Sequence, residues 1–190
     1  MKALLAMLLL TAPLRAAELE FGVRGGYAAL GSRDQNEVVQ NFSALIPLAL
    51  TLGYRPAPRV YAGLYLEYAF GLSSCPLVDR PDCSGHAAGF GAELRYSFSP
   101  EKRARPWIGL SLGYQRVREF VTEEEFGRFA NAYDAVLFGA EAGIEVYATR
   151  HLSIGPYFAG KAAVNFFSSF PGTYFVAEAG LRVSFALERR

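Results

Sequence analysis

By residue type and spacing, His86 is the best-placed candidate for catalysis in this chain, with Ser84 two positions before it and Asp79 and Asp82 close by. A hydroxyl, an imidazole and a carboxylate are the parts of an activated nucleophile, and they would serve acyl transfer if they met in space. His151, the other histidine, falls in a short turn and has no such company. A single loop histidine among polar neighbours is ordinary, so the sequence predicts no enzyme. Cys75 and Cys83 flank Pro76 and Pro81 in the same stretch. Cys-x7-Cys with one nearby histidine lacks a four-ligand set for a metal. A disulfide is expected instead, worth roughly 2.5 kcal/mol for so short a loop, and no cofactor is expected. The net charge is +1 and no Lys/Arg run marks a nucleic-acid footprint, so nucleic acid is not an expected partner.

A larger set of ionisable residues shares a different feature. Glu20, Arg24, Glu67, Glu93, Arg95, Glu141, Glu145, Lys161, Glu178 and Arg182 each fall on the small-residue face of a stretch with a two-residue period. Around 60–71, Val60, Ala62, Leu64, Leu66, Tyr68 and Phe70 point one way, and Tyr61, Gly63, Tyr65, Glu67, Ala69 and Gly71 the other. That period is the signature of a β-strand. The set holds six acids and four bases, so it nearly balances. A closed network of salt bridges and hydrogen bonds is expected, with a gated ion path as the sharper alternative. Glu93 with Arg95, and Glu178 with Arg182, lie on one strand face each and suit an interlocking ladder.

Eight such stretches position these residues, at 19–30, 45–54, 60–70, 88–98, 107–120, 135–148, 152–166 and 174–186. Most are long enough to cross a bilayer at a tilt, which takes about nine to eleven residues. Their connections alternate. Short turns are predicted at 55–59, 99–106 and 149–151, and mostly longer polar loops at 31–44, 71–87, 121–134 and 167–173.

Volume decides which face is inside. The interior of an eight-stranded barrel is just wide enough for side chains to fill. Gly22, Gly53, Gly63, Gly91, Gly109, Gly113, Gly139, Gly143, Gly155 and Gly180 fit such a space; Leu48, Leu50, Leu52, Leu64, Leu66, Leu110, Ile144 and Leu181 together would overfill it. The bulky face is therefore read as touching lipid. Phe21, Tyr54, Tyr96, Phe98 and Phe185 near the short turns, and Tyr27, Tyr68, Phe70, Tyr114, Phe138, Phe166 and Phe175 near the long loops, form two aromatic bands, as expected at two headgroup levels.

With these features the mature chain resembles the small outer-membrane β-barrel proteins of the A, X and W type. The most specific piece is the end: Glu178, Gly180, Val183 and Phe185 follow polar-x-Gly-x-x-apolar-x-apolar, which looks like that family's assembly signal and implies delivery to the barrel-insertion machinery. Family members usually stop at the terminal aromatic, whereas 186–190 follow here. The stretch from Arg105 to Tyr114 is a more generic match. Some small barrels modify lipid A, but the surroundings of His86 match neither the deacylase nor the palmitoyl-transfer pattern.

The N-terminus completes the reading. Lys2 followed by the short apolar run Ala3–Leu10 and Pro13 predicts a secretory signal over 1–16, too short for a membrane-spanning helix. The barrel then occupies 17–190. The expectation is an all-β, eight-stranded antiparallel up-and-down transmembrane β-barrel in the outer membrane of a Gram-negative bacterium. It is expected to be monomeric, surrounded by outer-membrane lipid, with long loops outside that can meet an extracellular partner. The expected role is structural or surface-interactive. A narrow pore for small or apolar solutes is the alternative, and a lipid A-modifying enzyme the third.

Overall fold

The computed structural model describes residues 18–32, 42–73, 83–123, 127–165 and 172–188. The signal expected over 1–16 lies outside them, as does Cys75. Eight strands follow one another: β1 (Glu18–Ser32), β2 (Phe42–Ala57), β3 (Val60–Ser73), β4 (Cys83–Ser97), β5 (Ala104–Glu123), β6 (Gly127–Tyr147), β7 (Leu152–Asn165) and β8 (Thr173–Glu188). Each pairs antiparallel with the next, and β8 returns to β1, closing the sheet.

Closure has a measurable stagger. Partners traced once round the barrel run from Glu20 through Gly53, Gly63, Glu93, Ser111, Gly139, Lys161 and Val176 and arrive at Leu30 on the strand where they began. The displacement from position 20 to position 30 fixes the strand tilt, which for barrels of this size is roughly 35–45°. Through the wall of the barrel each strand is thereby paired on both sides, while at the long-loop end residues 127–134 of β6 ladder to β5 alone among the described pairings.

Alternation sorts the side chains as the pleat requires. Leu64, Leu66, Leu110 and Phe158 point outward and are 64%, 64%, 65% and 67% exposed, while Glu20, Arg24, Glu67 and Arg182 are buried. The interior is not small and charged throughout, however. Toward the long-loop end Leu45, Val117, Leu137 and Val176 join Ala28, Ala69, Ala87, Ala135 and Ala163 in an apolar cluster capped by Tyr133 and Tyr174. Nor is the outer wall uniformly bulky. Ala140, Gly160, Ala177 and Ala29 are register partners in one row across β6, β7, β8 and β1, which leaves a shallow hollow between Phe138 and Phe158.

Several strand ends lie beyond the sequence-based bounds. β5 and β6 pair without interruption to Glu123 and Gly127, so most of the loop expected at 121–134 is hairpin. Backbone pairing holds this protruding ladder although its composition is polar. β3 continues to Ser73 and β4 starts at Cys83, which shortens the loop expected at 71–87. β2 runs through Arg55 to Ala57, with a register irregularity between Tyr54 and Ala57. Pro56, which cannot donate to a ladder, sits at that irregularity. The turn expected at 55–59 is thus confined to Pro58 and Arg59.

Candidate functional site

The inner faces of β1, β2, β3, β4, β6, β7 and β8 supply the charges of a buried ionic network, arranged in tiers. Nearest the short turns, Arg55 on β2 donates through Nε to Glu20 at 2.6 Å and through Nη2 to Glu145 at 3.1 Å. Arg95 on β4 donates to the same two carboxylates, at 2.7 Å to Glu20 and also to Glu145. Two acids and two bases from β1, β2, β4 and β6 thus make a closed square. The Tyr61 ring floors it, with the Arg95 guanidinium 3.6 Å from the ring centroid, and Trp107 packs beside Arg95.

The next tier is built on two further guanidinium groups. Arg182 grips Glu93 with both terminal nitrogens, at 2.7 and 3.3 Å, and donates to Thr51 Oγ1 at 3.1 Å. Arg24 contacts Glu141 at 3.1 and 3.2 Å and Glu67 at 3.3 Å, with Glu93 at 3.6 Å. Above them Lys161 Nζ lies 3.0 Å from Glu67 and 2.7 Å from Glu178. The Tyr157 hydroxyl also donates to Glu178, and Tyr174 donates to Gln115 at 3.1 Å. A forked donor matched to a carboxylate is the strongest side-chain pairing available, and the low-dielectric interior strengthens it.

These bridges connect distant strands. Arg182 to Glu93 joins β8 to β4, and Lys161 to Glu67 joins β7 to β3. In an eight-stranded ring those are opposite walls, so each pair spans the bore. The aromatic fillers lie between them: Tyr65 over Gly91 and Gly113, Tyr61 over Gly53 and Gly63, Trp107 against Gly143. The glycines are what make room for the rings.

All ten inner charges named from the sequence are buried and take part in these contacts. The one-strand pairings are a different matter. Arg95 Nε is only within 3.8 Å of Glu93, and Arg182 reaches across to Glu93 rather than to Glu178. Arg55 is absent from the sequence-based set because its strand continues past the expected turn. Its parity with Thr51 and Gly53 was the available signal. Buried Glu119 lies within the expected strand 107–120 and shares the parity of Gln115 and Val117, which is the signal for its inward placement.

The other candidates separate. His86 lies in β4, not in a loop, and is the register partner of Phe70 and Arg118 on the outer wall. Its ring stacks on Tyr68 at 5.5 Å and tilts against Phe120 at 5.7 Å. Asp79 and Asp82 lie outside the described residues, as does Cys75, so the grouping around His86 and the Cys75–Cys83 bridge are not in view. His151 sits at the 148–151 turn, its Nδ1 3.1 Å from the Ala186 carbonyl oxygen. Glu178 points inward, and Gly180, Val183 and Phe185 lie mid-strand in β8, which continues to pair Glu188 with Glu18. Among the described residues no His, Cys, Asp and Glu cluster is arranged to hold a metal ion.

This arrangement, a closed up-and-down barrel with an apolar wall and an ionic interior, defines a small β-barrel of the outer-membrane type. Solved structures with the same fold include a major outer membrane protein from Thermus thermophilus, with a TM-score of 0.62, 10% identity, 90% of this chain and 99% of that one covered. Neisserial surface protein A gives a TM-score of 0.59 at 12% identity, covering 89% of this chain and 96% of the other. Ail, the attachment invasion locus protein of Yersinia pestis, gives 0.57 at 10% identity, covering 90% and 99%. No protein-family description and no curated protein matches the chain.

Proposed function

We propose that this chain is an integral barrel of the bacterial outer membrane, with its long-loop end outside the cell, whose role is structural and surface-interactive rather than catalytic or conducting. The outer wall supports residence in lipid: a belt of exposed Leu, Ile, Val and Phe on every strand would be untenable in water at this extent, and closure satisfies the backbone as a bilayer demands. The observation that carries the closed-lumen reading is the pair of bridges between opposite walls, Arg182–Glu93 and Lys161–Glu67, with Tyr61, Tyr65 and Tyr157 filling the gaps. Such bridges are costly to open, because separating a buried pair costs about 3–5 kcal/mol. Stiffness of this kind suits a scaffold that displays loops. Neisserial surface protein A and the attachment invasion locus protein have the same fold and are named for the cell surface and attachment, in keeping with a display role. Assembly would use the insertion machinery through the β8 segment Glu178–Phe185.

The test is refolding of the mature chain into detergent, verification by heat-modifiable gel mobility, and recording across planar bilayers. A silent membrane is the expected result. Discrete conductance steps that change in Glu141→Ala or Lys161→Ala would replace this reading with a pore, and a mass shift in lipid A that depends on Ser84 or His86 would replace it with an enzyme.

A further inference from the structure

The outer wall carries one group of charges, and its position is informative. Among described side chains that point outward from the strands, the charged ones are Arg116, Arg118 and Asp134. Arg116 and Arg118 are the next two outward positions of β5 after Tyr114, and Arg118 is the register partner of His86. All stand at the long-loop end, at the margin of the aromatic band formed by Tyr68, Phe70 and Tyr114. A charge at mid-wall would face acyl chains; at this margin it meets headgroups, where the penalty for an arginine falls away.

Asp134 does not neutralise the pair. Its carboxylate accepts a hydrogen bond from the Tyr114 hydroxyl and lies 3.6 Å from Arg116 Nε, a loose contact made through Nε rather than through the terminal nitrogens of Arg116. Arg118 makes no ion pair among the described residues. Two guanidinium forks spaced about 6.6 Å along a strand stand beside an aromatic floor of Tyr68, His86 and Phe120. Planar forks suit phosphate oxygens, and the rings suit the boundary between headgroup and acyl chain.

We propose that Arg116 and Arg118 form a docking surface for the phosphorylated headgroup of a lipid in the long-loop leaflet, with Tyr68, His86 and Phe120 seating the top of its acyl chains. The proposal rests on the membrane reading above. The partner is chosen by charge complementarity: on a wall otherwise without charge among the described side chains, the two cations stand at the level of a headgroup layer, which carries fixed phosphates, and not at the level of the acyl chains.

The experiment uses the refolded mature chain in neutral detergent micelles and native mass spectrometry, with bis-phosphorylated lipid A, its dephosphorylated form and inorganic phosphate as probes. Wild type is expected to retain lipid A, to release the dephosphorylated form, and not to exchange its lipid for inorganic phosphate. Neutralising either arginine, as Arg116→Gln or Arg118→Gln, should weaken retention about fivefold and both together about thirtyfold; Arg59→Gln at the opposite end should leave it unchanged. Equal retention of the two lipid forms, displacement by inorganic phosphate, or wild-type retention by the double variant would overturn the docking surface alone. A chain that stays folded and monomeric in water without detergent would overturn the membrane reading and this inference together.

Discussion

Tyr65 occupies the space that side chains at Gly91 and Gly113 would need, and the Tyr61 ring does the same for Gly53 and Gly63. Gly160, on the outer wall, has nothing within 4 Å of where a Cβ would be. The two kinds of glycine therefore have different tolerances. Gly113→Leu should destabilise the barrel by about 1–3 kcal/mol or block folding outright, because overpacking displaces Tyr65, whereas Gly160→Leu should fold like wild type; heat-modifiable mobility and urea midpoints distinguish them. Arg95 supplies a second contrast. Arg95→Met leaves Glu20 and Glu145 sharing only Arg55, and should cost about 3–5 kcal/mol. Adding Glu145→Gln should recover part of that loss. A double-mutant cycle by equilibrium unfolding in vesicles measures the recovery, and strictly additive losses would show that the bond between Arg95 and Glu145 adds nothing.

At the level of elements, the β5–β6 hairpin stands apart because its ladder runs without a shift from Ala104↔Val146 to Glu123↔Gly127. The ionic tiers draw on its lower half, through Glu141 and Glu145, and none of the bridges that build those tiers uses residues 119–131. Replacing 119–131 by an Asn-Gly turn keeps Arg118 opposite Ala132 in a geometry that two-residue hairpins favour. The shortened barrel should refold with an unchanged urea midpoint; a loss above about 1 kcal/mol would mean that the protruding ladder supports the wall. How readable this hairpin is from sequence follows from its composition. Alternation is plain where one face is bulky and the other small, up to Phe120. Beyond that, Thr122, Glu123 and Arg128 look like loop residues, and cross-strand pairing rather than an apolar face keeps them in a strand.

For the whole molecule, closure is the property that matters, and β8 provides it. Glu188, Leu187 and Ala186 pair with Glu18, Leu19 and Glu20, and Ala186 N donates to the His151 carbonyl. Residues after Phe185 are thus part of the seam. Deleting 186–190 should lower refolding yield and reduce stability by about 1–3 kcal/mol, read from the urea midpoint, since it leaves a short strand edge of β1 unpaired. Substituting Ala186 and Leu187 by Ser, which retains backbone pairing, should preserve closure. Equal behaviour of the deletion and full-length chains in a gel-shift folding assay would mean that Phe185 suffices to close the barrel.

A two-residue period with small residues on one side and Leu, Phe and Tyr on the other already dictates strands, their number and the sense of inside and outside, because steric volume and hydration act on each stretch locally. That is why the inner placement of Glu20, Arg24, Glu67, Glu93, Arg95, Glu141, Glu145, Lys161, Glu178 and Arg182 could be read residue by residue. Which of them meet could not. Arg182 finds Glu93 across the bore, 89 positions away in the chain, because the stagger between strands brings β8 and β4 to one height. The register that sets this stagger is a property of all eight ladders at once. Partner choice in a filled barrel is decided by geometry that no single strand contains.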